Sequence, residues 1–199
     1  MCVHLEFNYK KAVQALNFFA LKEGGQINKM KAIKLIFIAD RYHLRKYGRP
    51  IINDEYFAMS YGPVASGVKD IAEMSDFLGP KEKKYAEKFL IVPDRYYVKA
   101  KGTELGNVFS KSDLVALSFS WDKFGGIPEF ELSEITHEYP EWRKHKNRLK
   151  TQSRVRMNYE DFFEDPPENI EKCYPLSSQD KDNGIEQLKE QAYLESLWS

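Results

Sequence analysis

Very little in this chain suits export, membrane insertion or covalent cross-linking. Only two of its 199 residues are cysteine, Cys2 and Cys173, and they lie far apart in no paired spacing. That argues against a disulfide framework and leaves no Cys-x-x-Cys redox or metal motif. The longest apolar run, "LIFIA", falls well short of the ~20 residues a membrane-spanning helix needs. The opening "MCVHLEFNYKK" lacks the apolar core of an export signal. These absences point to a soluble cytoplasmic protein. Net charge is missing too, since 30 Lys and Arg balance 30 Asp and Glu. The balance hides a division: residues 1–156 hold 27 cations against 19 acids, and residues 157–199 hold 3 against 11. A basic body is followed by an acidic tail.

Catalytic and cofactor signatures are equally scarce. There is no Gly-x-Ser-x-Gly elbow, no Walker phosphate loop and no His-Glu-x-x-His pair. Gly24-Gly25 and Gly125-Gly126 follow helical patterns and read as helix stops, not phosphate cradles. The histidines His4, His43, His137 and His145 show no ligand spacing, and Cys2-Val3-His4 is too little for a metal site by itself. No cofactor, metal or catalytic residue is expected.

What the chain does have is a core. With 13 Phe, 12 Tyr and 3 Trp in one domain-sized sequence, a real hydrophobic interior is assured. Asn8 predicts the cap of a first helix with Ala12, Val13, Leu16, Phe19 and Ala20 on its apolar stripe. Asn28 predicts a second helix running to Tyr47, stopped by Gly48, and apolar all round at Leu35–Ala39, the mark of a central helix. Tyr56–Met59 reads as a short strand ended by a Tyr61-Gly62-Pro63 turn, and Pro63 as the first position of a third helix closed by Gly79-Pro80. "FLIV" and "YYVKA" around Pro93-Asp94-Arg95 suggest a hairpin. Helices resume near Ser112, and "LSEITHEYPEWRKHKNRLK" suggests two more, the second from Pro140.

The sum is an α+β, mainly helical single domain with a small antiparallel sheet or hairpin. It is expected to fill residues 1–165, with an acidic linker and a terminal helix over 166–199. That helix, from Ile185, carries Leu188, Ala192, Tyr193, Leu197 and Trp198 as a stripe that must dock on the body or on a partner, with a homodimer as one outcome.

Two features invite a functional reading. Asp40 and His43 stand three residues apart on one face of the second helix, with Ile36 and Tyr47. As a catalytic couple they would need a nucleophile or activated water in a concave site. As a structural pair Asp40 would accept a bond from a nearby donor such as Tyr61, Arg41 or an amide of the following turn, which is the preferred reading. The stretch "RKHKNRLKTQSRVR", Arg143 to Arg156, holds seven cations and no acid. It could track nucleic acid, rest as a solvated helical face screened by the acidic tail, or meet an acidic protein surface.

The run Lys34 to Gly67, "KLIFIADRYHLRKYGRPIINDEYFAMSYGPVASG", resembles the Panacea family, the SocA-like antitoxin domain formerly of unknown function. The resemblance rests on Lys34-Leu35, Ala39-Asp40-Arg41, His43-Leu44, Gly48-Arg49-Pro50 and Tyr61-Gly62-Pro63-Val64, with "LSEITHEYPEW" as a second, looser element. It implies an antitoxin that binds and neutralises a cognate toxin protein, with some members presenting the toxin to a Clp protease. The alternative is a nucleic-acid-associated regulator of its own operon. Carried over by position, the motif residues are Asp40, Arg41, His43, Tyr61, Gly62 and Pro63, with His137 and Trp142. Tyr42, Tyr61 and the stretch beginning at Arg143 are the expected contact residues, because aromatic and Arg side chains concentrate interface energy.

Overall fold

A computed structural model describes residues 5–197 of the chain. Cys2, Val3 and His4, and Trp198 of the terminal stripe, lie outside the described residues. Helix α1 (Tyr9–Lys22) starts where the Asn8 side chain accepts the Lys11 amide at 3.1 Å. Helix α2 (Lys29–Tyr47) starts where Asn28 accepts the Met30 amide at 2.9 Å, and it stops at Gly48, whose φ of 70° opens the left-handed region. Between them β1 (Gln26–Asn28) forms a strand that the sequence reading treats only as a cap.

α2 is the axis of the molecule, as its all-round apolar middle predicts. Leu35, Ile36, Phe37, Ile38 and Ala39 have no solvent exposure. Each large apolar side chain so buried contributes about 1.5–3 kcal/mol. α1, α5 (Lys111–Phe124) and α6 (Glu129–His137) pack around it. α5 is closed at its start by a reciprocal Ser110–Asp113 capping box.

Two three-stranded antiparallel sheets complete the α+β fold. The first, in the order β1-β5-β4, contains the expected hairpin as β4 (Leu90–Ile91) and β5 (Tyr97–Ala100). The second is ordered β3-β2-β6, with β2 (Tyr56–Met59), β3 (Gly62–Ala65) and β6 (Arg154–Arg156).

The second sheet corrects two readings. Pro63 does not open a helix; it lies in edge strand β3 opposite Ala58, and α3 (Ser66–Glu73) begins three residues later. An edge strand tolerates proline where the missing N–H would point outward, and Asp54 caps α3 instead by accepting the Gly67 and Val68 amides at 2.9 and 2.8 Å. Nor is Arg143–Arg156 a helical face. α7 (Pro140–Arg143) is a single turn, and the basic stretch continues through turns and a short 3-10 segment into β6. α4 (Pro80–Phe89) escapes sequence reading because Ala86 is its only buried residue.

Among the described residues the acidic segment meets the basic stretch at one ion pair, Asp161 with Lys144. The ion pairs of residues 143–156 go to Glu138, Asp161 and Glu55. α8 (Ser178–Ser196) instead lies across the end of α2 and the 3-10 segment Tyr159–Phe163. Leu188 is buried there, Gly184 faces Phe163, and Tyr193 and Leu197 stay exposed.

Candidate functional site

The polar residues of α2 are placed by helical spacing into an interior that must satisfy them. Asp40 is fully buried and accepts the Ile51 amide at 2.7 Å and the Tyr56 hydroxyl at 3.0 Å. Burial pushes its carboxyl up to about 6, against the pull of those bonds. The amide donor matches the expectation; the hydroxyl comes from Tyr56 on β2, not from Tyr61.

His43, equally buried, turns elsewhere. Its Nδ1 donates to the Arg49 carbonyl at 2.6 Å, and its Nε2 lies 3.0 Å from Ser112 Oγ and 3.2 Å from Asp113 Oδ1. Asp113 also meets Lys11 Nζ at 2.8 Å. Burial alone would raise the Asp113 carboxyl, but the bonds from His43 and Lys11 outweigh it and hold it well below its ordinary range. The acid and imidazole of α2 thus serve separate partners: one fixes the turn before β2, the other ties α2 to α5.

Arg41 donates to Glu141 Oε1 and to the Glu164 carbonyl, each at 2.5 Å, and stacks 4.6 Å over the Tyr139 ring. Burial pushes the Glu141 carboxyl up, opposed by Arg41. Arg45, one turn on, donates to the carbonyls of Phe163 at 2.6 Å and Tyr174 at 2.7 Å and to Asp165 at 2.5 Å. Tyr42 is buried and stacked on Phe119 at 4.2 Å. That removes it from the expected contact residues.

A second cluster supports the β2–β3 turn. Lys34 is almost wholly buried and donates to the Pro63 carbonyl at 2.8 Å, and burial lowers its ammonium to about 7. Gly62 has φ +91°, and a Cβ there would lie 2.7 Å from Thr136 Oγ1 and 3.0 Å from Lys34 Cε. The left-handed backbone and the close approach both require glycine. Trp142 donates through Nε1 to the Met59 carbonyl at 2.9 Å and stacks on His137 at 3.9 Å. Burial lowers the His137 imidazole, with Lys34 adding to the effect. Ser133 donates to the Tyr61 carbonyl at 2.9 Å. The two sequence elements, around Tyr61-Gly62-Pro63 and His137–Trp142, therefore meet in space.

On this base an exposed face is built. Tyr61 is 65% and Phe130 64% exposed, and Phe130 sits one turn before Ser133 on α6. Arg154 lies 4.9 Å over the Phe57 ring on the outer side of the sheet. Arg143 is exposed beside an open groove lined by Pro140, Lys144, Pro166 and Pro167. Sequence reasoning passed over Lys34, Arg45, Tyr56, Asp113, Glu141 and Phe130. Lys34 alone had a signal, since it opens the motif that carries the resemblance; the others depend on contacts between distant segments.

Among the described residues no group of His, Cys, Asp and Glu could hold a metal ion, and no helix is long and apolar enough to cross a membrane. No curated protein and no solved structure matches the chain. Residues 33–143, more than half of its length, match the family described as antitoxin SocA-like, Panacea domain. The match takes in the buried residues of α2, the β2–β3 turn and the α6–α7 segment that packs on it, and the chain belongs to that family of SocA-like antitoxins.

Proposed function

We propose that this chain neutralises a cognate toxin by binding it directly, with no catalysis of its own. One observation carries the reading: the motif's polar side chains are spent on internal partners, while the backbone they fix presents Tyr61 and Phe130 to solvent. A rigid platform with exposed aromatics and arginines suits tight protein recognition, because little side-chain freedom is lost on contact. Blocking is the primary mode, and delivery of the toxin to a Clp-type protease is a variant of the same contact.

The test is growth arrest by the product of the neighbouring reading frame, with and without this chain. The parent restores growth and forms a purified complex. Combined Tyr61→Ala and Phe130→Ala substitutions retain the fold and weaken the complex by about tenfold or more. Full rescue and affinity in that variant would reject this face. Rescue with no complex formed would reject binding as the mechanism. A shortened toxin half-life would assign protease delivery. A steep salt slope on promoter DNA would favour operon regulation instead.

A further inference from the structure

The β3-β2-β6 sheet has two unlike edges. The Met157 amide donates to the Tyr56 carbonyl at 2.9 Å, and the register continues Phe57 to Arg156, Ala58 to Val155 and Met59 to Arg154. In an antiparallel ladder the backbone groups alternate inward and outward. Val155 and Met157 therefore turn theirs toward β2, and Arg154 and Arg156 turn theirs away. Among the described residues no backbone group pairs with those outward N–H and C=O groups. At the opposite edge Pro63 has no N–H to offer, and its carbonyl is taken by Lys34.

The open edge is anchored and charged. Val155 is buried and Met157, just beyond the strand, sits in the hydrophobic core, while Arg154 and Arg156 are exposed to either side of Val155. Lys146, Arg148, Lys150 and Arg154 have no acidic partner among the described residues. A second copy of this strand would set Arg against Arg, which is unfavourable. Phosphate would meet the outward carbonyls as well as the amides. An extended peptide with acidic side chains matches both the backbone pattern and the charge.

We propose that β6 receives an extended acidic segment of the toxin as a fourth strand of this sheet, with acids facing Arg154 and Arg156. The inference rests on the toxin-binding reading above and adds where the toxin docks and what chemistry it brings.

The full chain and the toxin encoded beside it provide the test. Arg154→Ala removes a cation and keeps the amide; Arg154→Pro also removes the outward amide while sparing the ladder to β2. Toxin affinity is expected to fall about tenfold further for Arg154→Pro than for Arg154→Ala. In the parent complex the Arg154 and Arg156 amides are expected to gain protection from hydrogen exchange. Circular dichroism checks that the proline variant folds, and if it does not, the exchange result on the parent decides. Toxin binding without protection at these two amides overturns the edge and leaves the antitoxin reading standing. No binding by the parent overturns both.

Discussion

Replacing Asp40 with Asn is expected to make the protein relatively more stable as pH rises. Asp40 has no solvent exposure, and its carboxyl is pushed from an ordinary 3.8 to about 6. A raised acid is a group the fold prefers protonated. The stability linked to it is fully present below its ordinary value, falls as pH rises, and is lost once pH passes about 6. The displacement corresponds to about 3 kcal/mol between the two limits. Asn keeps the size of the side chain and an oxygen for the Ile51 amide, and its NH2 can donate to the Tyr56 hydroxyl that formerly donated to Asp40. It has no charge to bury. Asp54, raised to about 7 by burial, is present in both proteins and cancels to first order. Urea unfolding followed by tryptophan fluorescence, at intervals from about pH 4.5 to about 8, gives both curves. The variant should gain about 2 kcal/mol on the parent across that range, most of it below about pH 7. Parallel curves, or a variant that loses ground as pH rises, would refute the assignment of a burial penalty to this carboxyl.

Four further outcomes follow from the same geometry. Glu141→Ala strands the buried Arg41 guanidinium and should cost about 3–5 kcal/mol, read as a lowered urea midpoint. Gly62→Ala forces a side chain into left-handed backbone against Thr136 and Lys34, and a loss of about 1–3 kcal/mol should appear in thermal melts. Deletion of residues 166–199 removes the Tyr174 carbonyl from Arg45 and uncovers the pocket of Cys173, so cooperative melting should be lost or sharply lowered. Deletion from 178 onward should leave a cooperative, modestly weaker fold.

The sequence is informative where one residue acts on its own neighbours. Asn8, Asn28 and Gly48 announce helix ends because capping is a local bond, and the apolar girdle of α2 announces its central place. Pro63 misleads because proline suits both the start of a helix and an edge strand, and only pairing with β2 decides between them. β6 is hidden because the alternation Arg-Val-Arg lies inside a run that reads as plain positive charge. At the site, the sequence points to Asp40 and His43 as structural groups. It cannot supply Asp113, which reaches His43 from 70 residues away, or Glu141, which reaches Arg41 from 100.

The clasp around Arg45 carries a consequence for how the chain can vary. The family match ends at Arg143, yet every hydrogen bond that satisfies this buried guanidinium is supplied by residues between Phe162 and Tyr174. Cys173 and Tyr174 hold left-handed φ values of 51° and 81° to complete it. The working module therefore closes at Tyr174, some thirty residues past the recognisable motif. Beyond that point a different terminal extension can be spliced on at the expense of the α8 packing, Leu188 and Gly184 with the half-buried Ile185 and Ala192, whereas a junction placed earlier takes the Tyr174 carbonyl from this cation.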